Sequence, residues 1–177
     1  TLEAAGITLL KAFEGSGIQF LNVRGTWVTD FSSLESCPNL TRLIIGDLPG
    51  GAVETLVGLT GLVELRLYST QEVDLSHFTV FQKLQDLDLY GCTILHPEVL
   101  TLLPNLRFLN LGGTGVNDLS FLPKMPAMTD VDLRNDPIMD LTPLLDCPWL
   151  RLLILSPQHQ PLAREQLEQA TFEISFQ

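Results

Sequence analysis

Apolar residues recur along this chain at one fixed interval. Ile18, Leu40, Leu62, Leu84, Leu106, Met128 and Leu150 stand 22 residues apart without a slip. Each opens the same short pattern, as in Leu84-Gln-Asp-Leu87-Asp-Leu89 and Leu106-Arg-Phe-Leu109-Asn-Leu111. Counted from that opening residue, positions 4 and 6 are apolar and positions 3, 5 and 7 are mostly polar. This two-residue alternation is that of a strand with one buried face. A unit this short cannot bury its apolar side alone, so successive copies must stack on one another. Each connection brings the chain back to the same end of the stack, and the strands therefore form a parallel sheet.

The return leg has its own order. Position 11 holds Val28, Ile94, Val116 and Ile138; position 14 holds Phe31, Val53, Leu75, Leu119 and Leu141; position 17 holds Leu34, Leu56, Phe78, Leu100, Leu122 and Leu144. Apolar residues three apart predict a 3-10 or single helical turn packed behind the sheet. Asp30, Asp74, Asp118 and Asp140 each precede Ser32, Ser76, Ser120 or Thr142 by two residues, the spacing of a side chain capping free backbone N–H groups. Pro38, Pro104, Pro126 and Pro148 then force an extended entry into the next strand. Thr26, Thr70, Cys92 and Thr114 at position 9 suit a turn whose side chain bonds a neighbouring loop.

The pattern varies in places. Asp47-Leu-Pro-Gly-Gly51 replaces the compact turn of repeat 2 and is expected to protrude. Pro97 to Leu103 reads as a short true helix with proline in its first turn. One domain, 1–177, is expected, with a helical cap over 1–17, seven repeats over 18–160 and a helix-strand cap over 161–177. The strand of that last cap is expected around Phe172, Ile174 and Phe176, covering an otherwise open edge.

The run Leu106-Arg-Phe-Leu-Asn-Leu-Gly-Gly-Thr-Gly-Val-Asn-Asp-Leu-Ser-Phe-Leu-Pro resembles the 22-residue class of leucine-rich repeats. That class is found in bacterial internalin-like proteins and in the eukaryotic phosphatase-1 regulator of the same repeat length. The resemblance spans residues 18 to 160. It implies an α/β solenoid with a curved parallel sheet on its concave face and short 3-10 or helical turns on its convex face. It also implies protein recognition on the concave sheet or its flanking loops.

Positions 3, 5 and 7 face that concavity, and the centre gathers Glu64, Asp86, Asp88, Asp130 and Asp132 beside Tyr68, Tyr90 and Phe108. Carboxylates beside aromatic anchors suit a partner presenting Arg or Lys, because charge sets orientation and aromatics supply contact area. Phe20, Ile44, Leu152 and Ile154 on the same face argue against a purely solvated surface. The expected contact set is Glu64, Arg66, Tyr68, Asp86, Asp88, Tyr90, Phe108, Asn110, Asp130, Asp132 and Arg134.

Composition narrows the partner class. The net charge of −11 disfavours nucleic acid and favours a basic protein. No apolar stretch approaches the roughly 20 residues of a membrane span. Cys37, Cys92 and Cys147 are too scattered for a disulfide framework or a zinc site, and are expected as buried free thiols, which favours a reducing, cytoplasmic setting. No catalytic residues, metal or cofactor are expected. Two aspartates on one strand sit about 6.6 Å apart, too far for a shared calcium. His77, His96 and His159 fall outside the face. Trp27 and Trp149 are expected to cover core edges. The sequence therefore points to a monomeric, non-enzymatic binder of a basic protein, such as a bacterial immunity-type inhibitor of a toxin or enzyme. The alternative is an adhesive segment of a larger internalin-like surface protein.

Overall fold

The computed structural model describes residues 10–26, 28–46, 52–68 and 72–177. Ten strands occur among them: β1 (Phe20–Asn22), β2 (Arg42–Gly46), β3 (Glu64–Tyr68), β4 (Val73–Asp74), β5 (Asp86–Asp88), β6 (Ile94–Leu95), β7 (Phe108–Asn110), β8 (Asp130–Asp132), β9 (Leu152–Leu155) and β10 (Glu173–Phe176). Eight of them make one parallel sheet in the order β1-β2-β3-β5-β7-β8-β9-β10, while β4 and β6 pair on the return side. Between repeats the register has no shift: Phe20, Arg42, Glu64, Asp86, Phe108, Asp130 and Leu152 stand opposite one another in turn. The sheet therefore converts a period in the sequence into rows in space. Only the last step differs, because Glu173 pairs with Leu152 at a spacing of 21.

Behind the sheet run seven 3-10 turns among the described residues: η1 (Ser32–Ser36), η2 (Ala52–Leu56), η3 (Leu75–Val80), η4 (Pro97–Leu102), η5 (Leu122–Lys124), η6 (Thr142–Asp146) and η7 (Pro157–His159). The core lies between the two layers. Leu43, Leu65, Leu87, Leu109, Val131 and Leu153 from the strands have no exposed surface, and Leu34, Leu56, Phe78, Leu100, Leu122 and Leu144 from the turns close over them equally completely. The expected caps are in place. Asp30, Asp74, Asp118 and Asp140 each accept the amide N–H two residues on at 2.9 Å. The hydroxyls of Ser32, Ser76, Ser120 and Thr142, together with those amides, hold all four carboxyls below the ordinary aspartate range.

Several local expectations need correcting. Pro97–Leu102 is a 3-10 turn rather than an α-helix, entered through His96 at φ 58°. The C-terminal helix, α1 (Gln160–Gln166), is shorter than the run 161–170 and follows η7 directly. Its Gln166 side chain accepts the Leu141 amide at 2.7 Å and so fastens the cap to repeat 6. The position-9 hydroxyls mostly close their own turn: Thr26 donates to the Val23 carbonyl at 2.6 Å and Thr114 to the Leu111 carbonyl at 2.7 Å. Cys92 does reach across, donating to the Leu67 carbonyl at 3.3 Å. Trp149 is 60% exposed rather than folded over a core edge. Thr70, Trp27, the loop 47–51 and most of the N-terminal cap lie outside the described residues. The described part of that cap packs inward: Leu10 is buried, and the Cys37 thiol donates to the Phe13 carbonyl at 2.9 Å. All three cysteines are free and buried. Burial pushes the Cys147 thiol up to about 11, so it is not thiolate at neutral pH.

One buried charge ties adjacent repeats. Asp136 is 1% exposed and accepts the Gly115 amide at 2.7 Å, holding the turn of repeat 5 against repeat 6. Burial raises its carboxyl from an ordinary 3.8 to about 6, despite bonds from the Gly115, Gly113 and Val116 amides. Among the described residues, no helix is long and apolar enough to cross a membrane.

Two expectations follow from this packing. Leu109→Ala should lower unfolding free energy by about 2–5 kcal/mol in a denaturant titration, since the site is fully enclosed; a loss well under 1 kcal/mol would mean the strand layer is loosely packed. The folded-state carboxyl of Asp136 lies above its unfolded value, so its neutral form favours folding. Melting temperature should therefore rise as pH falls from 7 through about 6, then level off near 3.8, and Asp136→Asn should diminish that rise. An unchanged pH profile in the variant would remove Asp136 from the account.

Candidate functional site

The zero-shift register places every expected contact residue on one sheet face. Glu64, Asp86, Phe108 and Asp130 form the position-3 row, and Arg66, Asp88, Asn110 and Asp132 the position-5 row. Tyr68, Tyr90 and Arg134 follow at position 7, where the strands end or turn. Phe20 and Arg42 at position 3, Asn22 at position 5 and Arg24 at position 7 lie outside the expected contact set and share the face.

The position-5 row is occupied with its own backbone. Asn22, Asp88, Asn110 and Asp132 each accept, through Oδ1, the amide two residues on, at 3.1, 3.0, 2.9 and 3.0 Å. These are Asx turns that satisfy the first amide beyond the strand. Asp88, Asn110 and Asp132 are accordingly buried. They frame the face rather than stand free on it. Burial raises the Asp88 carboxyl above its usual range in spite of the Tyr90 amide and the Tyr68 hydroxyl.

Most remaining charges on the face find one another. Glu64 takes Arg42 at 2.5 Å and Arg66 at 2.7 Å. Burial works against ionisation of Glu64, but the two arginines outweigh it and hold the carboxyl below its ordinary value. Asp132 receives both Nε and Nη2 of Arg134, the latter at 2.6 Å. Asp130 accepts the Thr129 hydroxyl at 2.5 Å. Asp86 stands apart. Its Oδ1 is buried without a hydrogen-bond partner among the described residues, and burial raises its carboxyl. It borders a shallow depression of about 420 Å³ that also touches Arg42, Glu64, Arg107 and Phe108.

Long side chains cross the face over two glycines. Arg24 lies across Gly46, where an added Cβ would meet its Cγ at 3.4 Å, and its guanidinium stacks 4.7 Å from the centre of the Tyr68 ring. Tyr90 lies across Gly112, where a Cβ would come within 3.0 Å of its ring, and its hydroxyl accepts the Asn135 side chain at 3.2 Å. Arg42 stacks on Phe20 at 5.0 Å. Tyr68 and Tyr90 thus sit side by side, each fixed by a neighbour from another repeat. Phe20 and Tyr90 remain largely exposed. The glycines at position 7 were the sequence signal for this arrangement.

Over positions 3, 5 and 7 of the repeats, five carboxylates stand against four arginines, one net negative charge out of the chain's −11. Most of the acidity therefore lies elsewhere, including the four capping aspartates of the return legs. Among the described residues no group of three His, Cys, Asp or Glu is placed to hold a metal. His77 and His96 are exposed off the face, while His159 is buried under the C-terminal cap.

No family model and no curated protein match the chain. Solved structures do. An internalin from Listeria monocytogenes is 25% identical at a TM-score of 0.69, matched over 86% of this chain and 48% of its own. Internalin C2 from the same organism is 23% identical at a TM-score of 0.71, over 95% of this chain and 74% of its own. The mouse RP105/MD-1 complex is 19% identical at a TM-score of 0.70, over 95% of this chain and 32% of that one. The chain thus spans about half the length of the first of these internalins. Repeat length, register and these likenesses together show a leucine-rich repeat solenoid built on a 22-residue period.

Proposed function

We propose that this chain is a non-enzymatic recognition module that seats a protein partner on its concave face. One observation carries the reading: the register sets Asp86, Phe108 and Asp130 in one row, with Tyr68 and Tyr90 at the ends of the neighbouring strands on the same side. Aromatic side chains held in place before binding lose little freedom on contact, which makes them effective anchors. Asp86 and Asp130 make no ion pair with this chain among the described residues, and Asp86 borders the shallow depression beside Phe108, where an arginine or lysine from a partner would face it. The partner is therefore a protein with a basic patch. Around these anchors, Glu64, Arg66, Asp88, Asn110, Asp132 and Arg134 form a rigid frame through the bonds described above. In its narrowest form the partner is a basic enzyme or toxin, and binding inhibits it. The module alone is a monomer.

A second reading has a specific observation behind it. The chain matches an internalin over only part of that protein's length, which fits an adhesive segment of a larger surface protein. The solved structure of a plant peptide hormone receptor, RGFR1, in complex with RGF2 is 11% identical with a TM-score of 0.53 and adds only likeness of fold.

The test begins with affinity capture of the partner from the native source, followed by calorimetry on the purified pair. Asp86→Lys with Asp130→Lys should weaken binding at least tenfold while leaving the melting temperature nearly unchanged, because neither side chain fastens backbone. Asp132→Lys should instead lower the melting temperature, since it strips a strand-end amide and Arg134 of their acceptor. Affinity should fall further between low salt and about 0.15 M salt. Full affinity in the double variant would move the site off the concave face.

A further inference from the structure

The concave wall is electrically polar along the solenoid axis. In repeats 1–3 its inward rows carry Arg24, Arg42 and Arg66 against Glu64 alone. In repeats 4–6 they carry Asp86, Asp88, Asp130 and Asp132 against Arg134 alone. Two net positive charges therefore precede three net negative ones, with Tyr68 and Tyr90 at the junction. Local pairing does not erase this separation. Glu64 is shared by two arginines and Arg66 also faces Asp86 and Asp88 across the junction, so the separation is clearest at the outer end, where Arg24 lies over an aromatic ring with no ion pair among the described residues. At the other pole, Arg134 pairs with Asp132 and also faces Asp88, which leaves Asp130 without an ion pair among the described residues. Arg107 and Arg151 stand at strand entrances, one position outside the rows, and do not reverse the sign of that pole.

We infer that the occupant is an extended segment of a partner protein that lies across the strands in one direction. It places an acidic group on repeats 1–3 and a basic group on repeats 4–6, with an apolar or aromatic side chain between them on the Tyr68–Tyr90 pair. This rests on the concave-face reading above and adds the charge order of the ligand. The spacing follows from the sheet. The poles are three to four strands apart, about 14–19 Å at about 4.8 Å per strand. An extended segment covers that distance in about four to six residues at roughly 3.3 Å each. A segment running the opposite way would face like charges at both ends, so the wall selects orientation as well as composition.

The test uses a phage-displayed library of linear dodecapeptides panned against the whole chain, with recovered sequences resynthesised and their binding followed by fluorescence polarisation. Two variants accompany the parent: Arg24→Glu with Arg42→Glu, and Asp86→Lys with Asp130→Lys, both checked for an unchanged melting temperature. Recovered peptides should carry one acidic and one basic residue four to six positions apart. Each variant should weaken them at least tenfold, and the four-residue swap should recover peptides with the reverse order. Peptides that are uniformly basic and sensitive only to the Asp variant would overturn the polar wall while leaving the basic-partner reading intact. Peptides indifferent to both variants, or none recovered at all, would overturn both.

Discussion

The whole molecule depends on one constraint: the backbone bonds between neighbouring repeats are made without any shift of register. In a parallel sheet, a slip of one residue would turn every inward side chain outward. Here the leucine at position 4 of each repeat meets its counterparts in the next, and the layer from Leu43 to Leu153 is sealed throughout. The 3-10 turns behind it supply the second wall of the core, so no repeat is complete without its neighbours. Leu10, Phe13 and α1 then protect the ends. A protein built this way presents a broad wall whose composition is set row by row.

That wall is less free than its polarity suggests. Polar residues at position 5 look outward by periodicity, yet they bend back to hold the first amide past each strand. Ion pairs absorb most of the rest. The consequence is a stiff face on which few charged groups lack an ion pair, chiefly Asp86, Asp130 and Arg24. Stiffness favours a binding role, because little order has to be imposed when a partner arrives. The acidity of the chain is largely a property of its return legs, where aspartates cap turns. Net charge therefore describes solubility and long-range attraction more than it describes the face.

The fold was legible because its signals are local and repeated. The strand alternation, the columns at positions 11, 14 and 17 and the Asp-x-Ser caps each recur several times, and each has a single physical use. The face was legible in its membership but not in its bonding. Periodicity tells which side of the sheet Asp88, Asn110 and Asp132 occupy; it does not tell that the amide two residues on will claim them. Position 7 of repeats 2 and 5 is glycine, and periodicity does not tell that Gly46 and Gly112 let Arg24 and Tyr90 lie flat across the next repeat. Trp149 and the helix expected after Pro97 were misread for a related reason, since residue type alone does not fix exposure or helix pitch.

The claim beneath all of this is that residues one repeat apart are lateral neighbours on a single open wall. It is tested most directly by paired cysteines at position 3, in a chain with Cys37, Cys92 and Cys147 replaced by alanine. Adjacent strands bring Cα atoms to about 4.8 Å, within the roughly 4.4–6.8 Å a disulfide spans, whereas strands two apart stand at about 9.6 Å. Mild oxidation should link Asp130→Cys to Leu152→Cys rapidly and intramolecularly, and leave Phe108→Cys with Leu152→Cys unlinked. Equal rates for the two pairs, or faster closure of the more distant one, would contradict the register on which the fold and the proposed surface both rest.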